Sequence, residues 1–310
     1  MPKVPEMADF RDNFATLPCV RQQPARGIPL GSAVESCYNS PAEGCAGNSR
    51  LRRFGETSVA IGNTAVARSV RADAGAASRL RAFLSRYFYL TMSLVMMGLV
   101  VWGFSRTVDV NLFHASPPRP FLLWLHGAAF STWLIFFASQ SALVSVRRVS
   151  VHRLLGWFGA GLAALMVPLG VVIAVIMARF DMVVLHQKNT DAFLSIPFYD
   201  MILFGTCVGL AISWRKQPEL HRRLLFIATC SLMDAAIGRF DFWFNHNLFF
   251  PFLDGLIILG AVRDQIVDGR IHKVYLYALP PMMAAQALAV YMWRGNPAWW
   301  QGITHAILGL

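Results

Sequence analysis

Three histidines share a setting. His152, His221 and His272 each follow a short basic turn, carry Arg or Lys as the next residue, and open an apolar run. Neutral imidazole nitrogens from two helices can take both axial positions of a haem iron, and three can hold a metal ion. Spans starting on one side make His152–His221 the pair to test. The alternative is interfacial, a His-Arg or His-Lys pair anchoring a helix start against lipid phosphate. A second set, His126, Asp200 and Asp254, lies near the starts of the preceding runs. One imidazole and two carboxylates suit zinc or manganese, whose bound water would be hydrolytic. The same residues could gate a proton, or close a structural network with Arg239 and Arg179. Asp234 lies deeper in its run and misses the i, i+4 spacing to Arg239, so it needs an interhelical partner. His126 is the candidate.

These residues must be positioned by helices in a membrane. The chain has 310 residues, 55% hydrophobic and only 15% charged, against about a quarter charged in a soluble chain. Several apolar runs approach the ~20 residues that cross a bilayer, and they do not alternate as barrel strands do. The fold class is all-α, a polytopic seven-helix transmembrane bundle, with the lipid bilayer as its partner. The spans fall near 87–105, 121–144, 154–178, 197–214, 223–240, 248–263 and 274–293. Pro168 and Pro280-Pro281 kink two of them, and Gly156, Gly159, Gly161, Gly205 and Gly209 offer small faces for close helix approach. No P-loop, GxSxG, HExxH or dinucleotide fingerprint is present.

Residues 1–85 are polar and Arg-rich and read as mostly disordered, with a basic helix from about Ala65 to Arg86. Their Arg and Ser content is transit-like, but Glu6, Asp9, Asp12, Glu35 and Glu43 argue against a transit peptide, and an over-extended start fits equally well. The transmembrane domain occupies 86–295 and a short amphipathic tail 296–310. Lys and Arg concentrate at the end bearing Arg147, Arg148, Arg215 and Lys216, which places that end and the N-terminus in the cytosol and the C-terminus outside. Trp124, Trp243, Trp293, Trp299 and Trp300 then mark the outer boundary, with Trp157 and Trp214 at the inner one. The formal charge of +11 follows from this topology rather than from nucleic-acid binding, since no aromatic stripe accompanies it. Five cysteines without a CxxC make no framework.

A polar residue near the start of one span and a His-basic pair at the following turn recur three times, as His126/His152, Asp200/His221 and Asp254/His272. The unequal spacings make this a weak repeat of architecture. The segments LHG (125–127), VHRLLGW (151–157) and LHRRLL (220–225) resemble motifs of uncharacterised bacterial multipass inner-membrane proteins over about 87–293. The HRxxG turn also resembles the di-haem transmembrane cytochrome b family. That resemblance implies a haem b between His152 and His221, whereas Asp200 stands where the outer haem's second histidine belongs. Three functions follow: a membrane protein handling protons or ions in its polar layers, a haem b-binding oxidoreductase subunit, and a metal-dependent membrane hydrolase.

Overall fold

The computed structural model describes residues 49–187 and 190–309. The chain divides into two units, Met1–Thr64 and Ala65–Leu310. Of the first, the described part from Ser49 is helical. The part of the disordered region that falls on 1–48 lies outside the described residues; 49–64 is helix where irregular chain is expected, and the helix expected from Ala65 is present. Ala, Arg and Leu, all strong helix formers, fill that stretch.

Among the described residues of the second unit the regular structure is helical, with turns and short connections between helices and no strand. Helix α1 (Ser49–Ser105) is followed by a π-helical turn, Asp109–Phe113, then by α2 (Leu122–Ser145) and α3 (Val149–Val183). A 3-10 turn, Ala192–Leu194, leads into α4 (Ser195–Ser213), and α5 (Pro218–Ser231) returns along it. Two short pieces, α6 (Asp234–Ile237) and α7 (Asp241–Asn245), precede α8 (Phe249–Asp268), α9 (Lys273–Gly295) and α10 (Ala298–Leu308). Five stretches are long and apolar enough to cross a bilayer: Gly75–Ser105, Leu122–Ser145, Val149–Val183, Ala192–Ser213 and Lys273–Gly295.

Two of the seven expected spans do not meet that standard, each for a local reason. The span expected over 223–240 stops at Ser231. Hydroxyls of Thr229 and Ser231 bond back to the carbonyls of Leu225 and Ala228, competing with the helix ladder, and a new turn opens at Asp234, whose side chain accepts from the Ala235 N–H at 2.6 Å. The sixth, α8, is continuous, but Asp254, Arg263 and Asp264 interrupt its apolar face.

The helices pack through an apolar core. Trp133 packs edge-to-face on Phe204 at 5.0 Å and donates its indole N–H to Thr229 at 3.3 Å. The outside is apolar too: Leu154 is 76% and Ile202 69% exposed, an outward face that suits lipid rather than water. The tail helix α10 is tied inward, with Trp300 donating to the Ala192 carbonyl at 3.1 Å and Thr304 to Asp191 at 3.2 Å. Trp300 is therefore buried, not a boundary anchor. Of the glycines expected at close approaches, Gly159 and Gly205 face Phe136 and Val167, while Gly156, Gly161 and Gly209 face open space. Among the described glycines, the tightest backbone approach is at Gly103, where a Cβ would collide with the Ala236 carbonyl oxygen.

Candidate functional site

The broken segment after α5 gives the cavity its polar wall. A cavity of about 1030 Å³ lies between the end of α1, the start of α2, the end of α3, the start of α4 and the α5–α6 break. Its walls are mostly apolar and include Phe104, Trp124, Phe130 and Trp293. Against them stand His126, Asp200, Asp234 and Arg239, with Thr107 and Asn111. Asp200 comes from the first turns of α4, and Asp234 is the first residue of α6.

Both carboxyls are buried and lie within hydrogen-bonding reach of each other. Two carboxyls make such a bond only with a proton between them, because two negative charges in an apolar surround repel too strongly to meet. Asp234 also accepts from the Ala235 N–H, whereas Asp200 Oδ1 has no partner. Arg239 makes no direct ion pair with either acid. Its Nε donates to Thr107 Oγ1 at 3.0 Å, a terminal nitrogen donates to the Ala235 carbonyl, and its guanidinium lies 3.6 Å over the Phe104 ring. His126 leans on Phe130 with ring centroids 4.1 Å apart, and its Nδ1 is buried without a partner.

The set expected to hold a metal, His126, Asp200 and Asp254, is thus divided. His126 and Asp200 share the cavity, but Asp254 on α8 faces α9, where Gln286 donates to it at 2.9 Å. Among the described residues no group of three or more His, Cys, Asp or Glu is placed to hold a metal ion. Asp234 meets Asp200 instead of the expected His126, because the helix break turns it toward α4.

At the opposite end of the bundle the histidines also separate. His152 on α3 and His221 on α5 come together, edge to face, with ring centroids 6.3 Å apart. His221 Nδ1 is bonded to the Ala211 carbonyl at 2.8 Å, and His152 Nδ1 is buried and unpartnered. A porphyrin needs a flat apolar slot between two axial imidazoles. The large apolar cavity is lined by neither of these two histidines. His272 stands apart, where its Nδ1 accepts from the Val274 N–H at 3.2 Å and caps α9. Burial, and next the charge of Arg223, push His272 below the usual histidine range, which keeps it neutral for that bond.

Beside His272 is a charged network of Arg223, Arg263, Glu219, Asp264 and Asp268. Arg223, on α5, donates from Nε to Asp264 at 2.7 Å and from Nη2 to Asp268 at 3.3 Å, and it also bonds Glu219. Arg263 donates to Asp264 at 2.9 Å and to Asp268 at 3.0 Å. Burial would raise Glu219, but the Arg223 hydrogen bond and the charges of Arg222 and Arg223 hold it below the usual carboxylate range. The signal in the chain was Arg263-Asp264, two opposite charges side by side closing an apolar run.

No protein-family model, curated protein or solved structure matches this chain.

Proposed function

We propose that this is a multipass protein of the bacterial inner membrane that takes up and releases protons at the Asp200–Asp234 carboxyl pair. The observation that carries this reading is the contact of two buried carboxyls at a helix break on the wall of a large cavity. Intramembrane acids are costly to insert, and a discontinuous helix beside a polar site is a recurrent arrangement for moving small species through a bilayer.

The reading includes seven crossings. The α5–α7 segment begins beside Asp264 and Asp268, near the far end of α8. It finishes beside Asn247, which accepts from Arg294 at the far end of α9. A segment linking those two ends spans the bundle despite its break, and α8 returns across it with its charged residues at the basic end. The Lys and Arg bias then puts the N-terminus in the cytosol and the C-terminus outside.

The test is proton flux into proteoliposomes carrying an internal pH dye, under an imposed pH gradient. Wild-type protein should accelerate acidification over empty vesicles, and Asp200→Asn and Asp234→Asn should each reduce that excess at least about tenfold. Equal rates for wild type and both variants overturn the reading.

A further inference from the structure

We infer that the cavity takes an organic cation with a broad apolar body, and that the cation exchanges for the proton of the carboxyl pair. The inference rests on the proton reading above and names the substrate class of the same site.

Three observations point to a cation. First, the cavity wall carries an acidic acceptor: Asp200 is buried, lines the cavity, and its Oδ1 receives no hydrogen bond from a protein donor, alongside the unpartnered His126 Nδ1 and Thr190 Oγ1. Second, the positive group in the cavity is already engaged. Arg239 gives Nε to Thr107 and one terminal nitrogen to the Ala235 carbonyl and lies against Phe104, so two of its three nitrogens are taken. Third, the walls carry aromatic faces, Trp124, Phe130 and Trp293 among them, which attract a cation electrostatically while burying apolar surface. A volume of about 1030 Å³ is at the upper end of small-molecule sites, about 300–1,000 Å³, and holds a bulky body.

Charge balance makes this an exchange. With its shared proton the pair carries one negative charge, matched by Arg239. When the proton leaves to water the pair carries two, and one added positive charge restores the match. Proton and cation therefore compete for one site. The other ionisable groups around the pair are His126 on α2, Tyr199 on α4, Asp254 on α8 and the Arg119–Asp181 ion pair at 2.8 Å, which is closed on itself.

The experiment is binding of tetraphenylphosphonium to the purified full-length protein, with tetraphenylborate as an anion of the same shape and proton release followed in weak buffer. Tetraphenylphosphonium should bind with release of about one proton, and its affinity should fall about tenfold per pH unit where the pair is protonated. Asp200→Asn should weaken binding at least about tenfold and abolish the proton release, while Asp200→Glu, which keeps a carboxyl, should retain both. Equal or tighter binding of tetraphenylborate overturns the inference, as does tetraphenylphosphonium binding that ignores both pH and Asp200→Asn. If the proton flux depends on Asp200 but tetraphenylphosphonium does not bind, the cation inference fails alone. A flux indifferent to Asp200 and Asp234 removes the proton reading itself.

Discussion

Arg223 on α5 donates from Nε to the carboxylate of Asp264 on α8 at 2.7 Å, and both side chains are sealed from solvent. Such a pair adds little net stability when intact, because both ions were stripped of water. Removing one partner is another matter. Asp264→Ala leaves Arg223 and Arg263 short of an acceptor and should destabilise the protein by about 3–5 kcal/mol. Asp264→Asn, which keeps one oxygen, should cost less. Thermal unfolding in detergent gives the order. Unchanged melting of the alanine variant would show that this contact does not hold α5 against α8.

The close approach of α1 to the helix break predicts a second effect. Gly103→Ala would drive a Cβ into the Ala236 carbonyl, and a backbone atom cannot rotate away as a side chain can. The expected loss is about 1–3 kcal/mol, the range for overpacking. Because Ala236 lies two residues after Asp234, proton flux should fall with it. An alanine variant with wild-type melting and flux would contradict the packing.

His272 predicts a pH dependence. Its folded form is held neutral, so the unfolded chain binds the proton more readily. Stability from this group is therefore complete above the ordinary histidine value, about 6.5, and declines as pH falls below it. His272→Asn keeps an N-capping side chain that does not titrate. The variant should lose the part of the melting-temperature decline that begins near that pH. The decline from Glu219, whose carboxyl is held low, begins at more acid pH and should remain. Superimposable melting-temperature profiles of wild type and variant count against the capping role.

The carboxyl pair separates function from stability. Asn at position 200 can still hydrogen-bond Asp234, without a shared proton or a second buried acid. Asp200→Asn should therefore melt no lower than wild type, and up to about 1–2 kcal/mol more stably, while losing proton flux. A pair that served only as structural glue would give the opposite result, lower melting and unchanged flux.

Several of these groups were conspicuous in the chain before any fold was known. His126 and Asp200 stand out because hydrocarbon tolerates so few polar side chains, and both line the cavity. His152 and His221 were legible as neighbours from the shared side on which their helices start. Asp254 was singled out for the same reason as Asp200, yet it faces Gln286. Insertion cost shows that an acid needs a partner and is silent on which one. The expectation of a His126 partner for Asp234 rests on an unbroken helix. The break at Ser231 resets its direction.

What the sequence alone determined is the class of the molecule: an all-helical chain with apolar stretches long enough to cross a bilayer, and the positions at which polar residues interrupt them. Those are local quantities, set by the run length and polarity of neighbouring residues. The tertiary structure decided the rest, namely the meeting of Asp200 with Asp234, the Arg223–Asp264 link, the Gly103 approach and the cavity they enclose. Each depends on how a helix is rotated about its axis and where it stops, and packing against segments far away in the chain sets both.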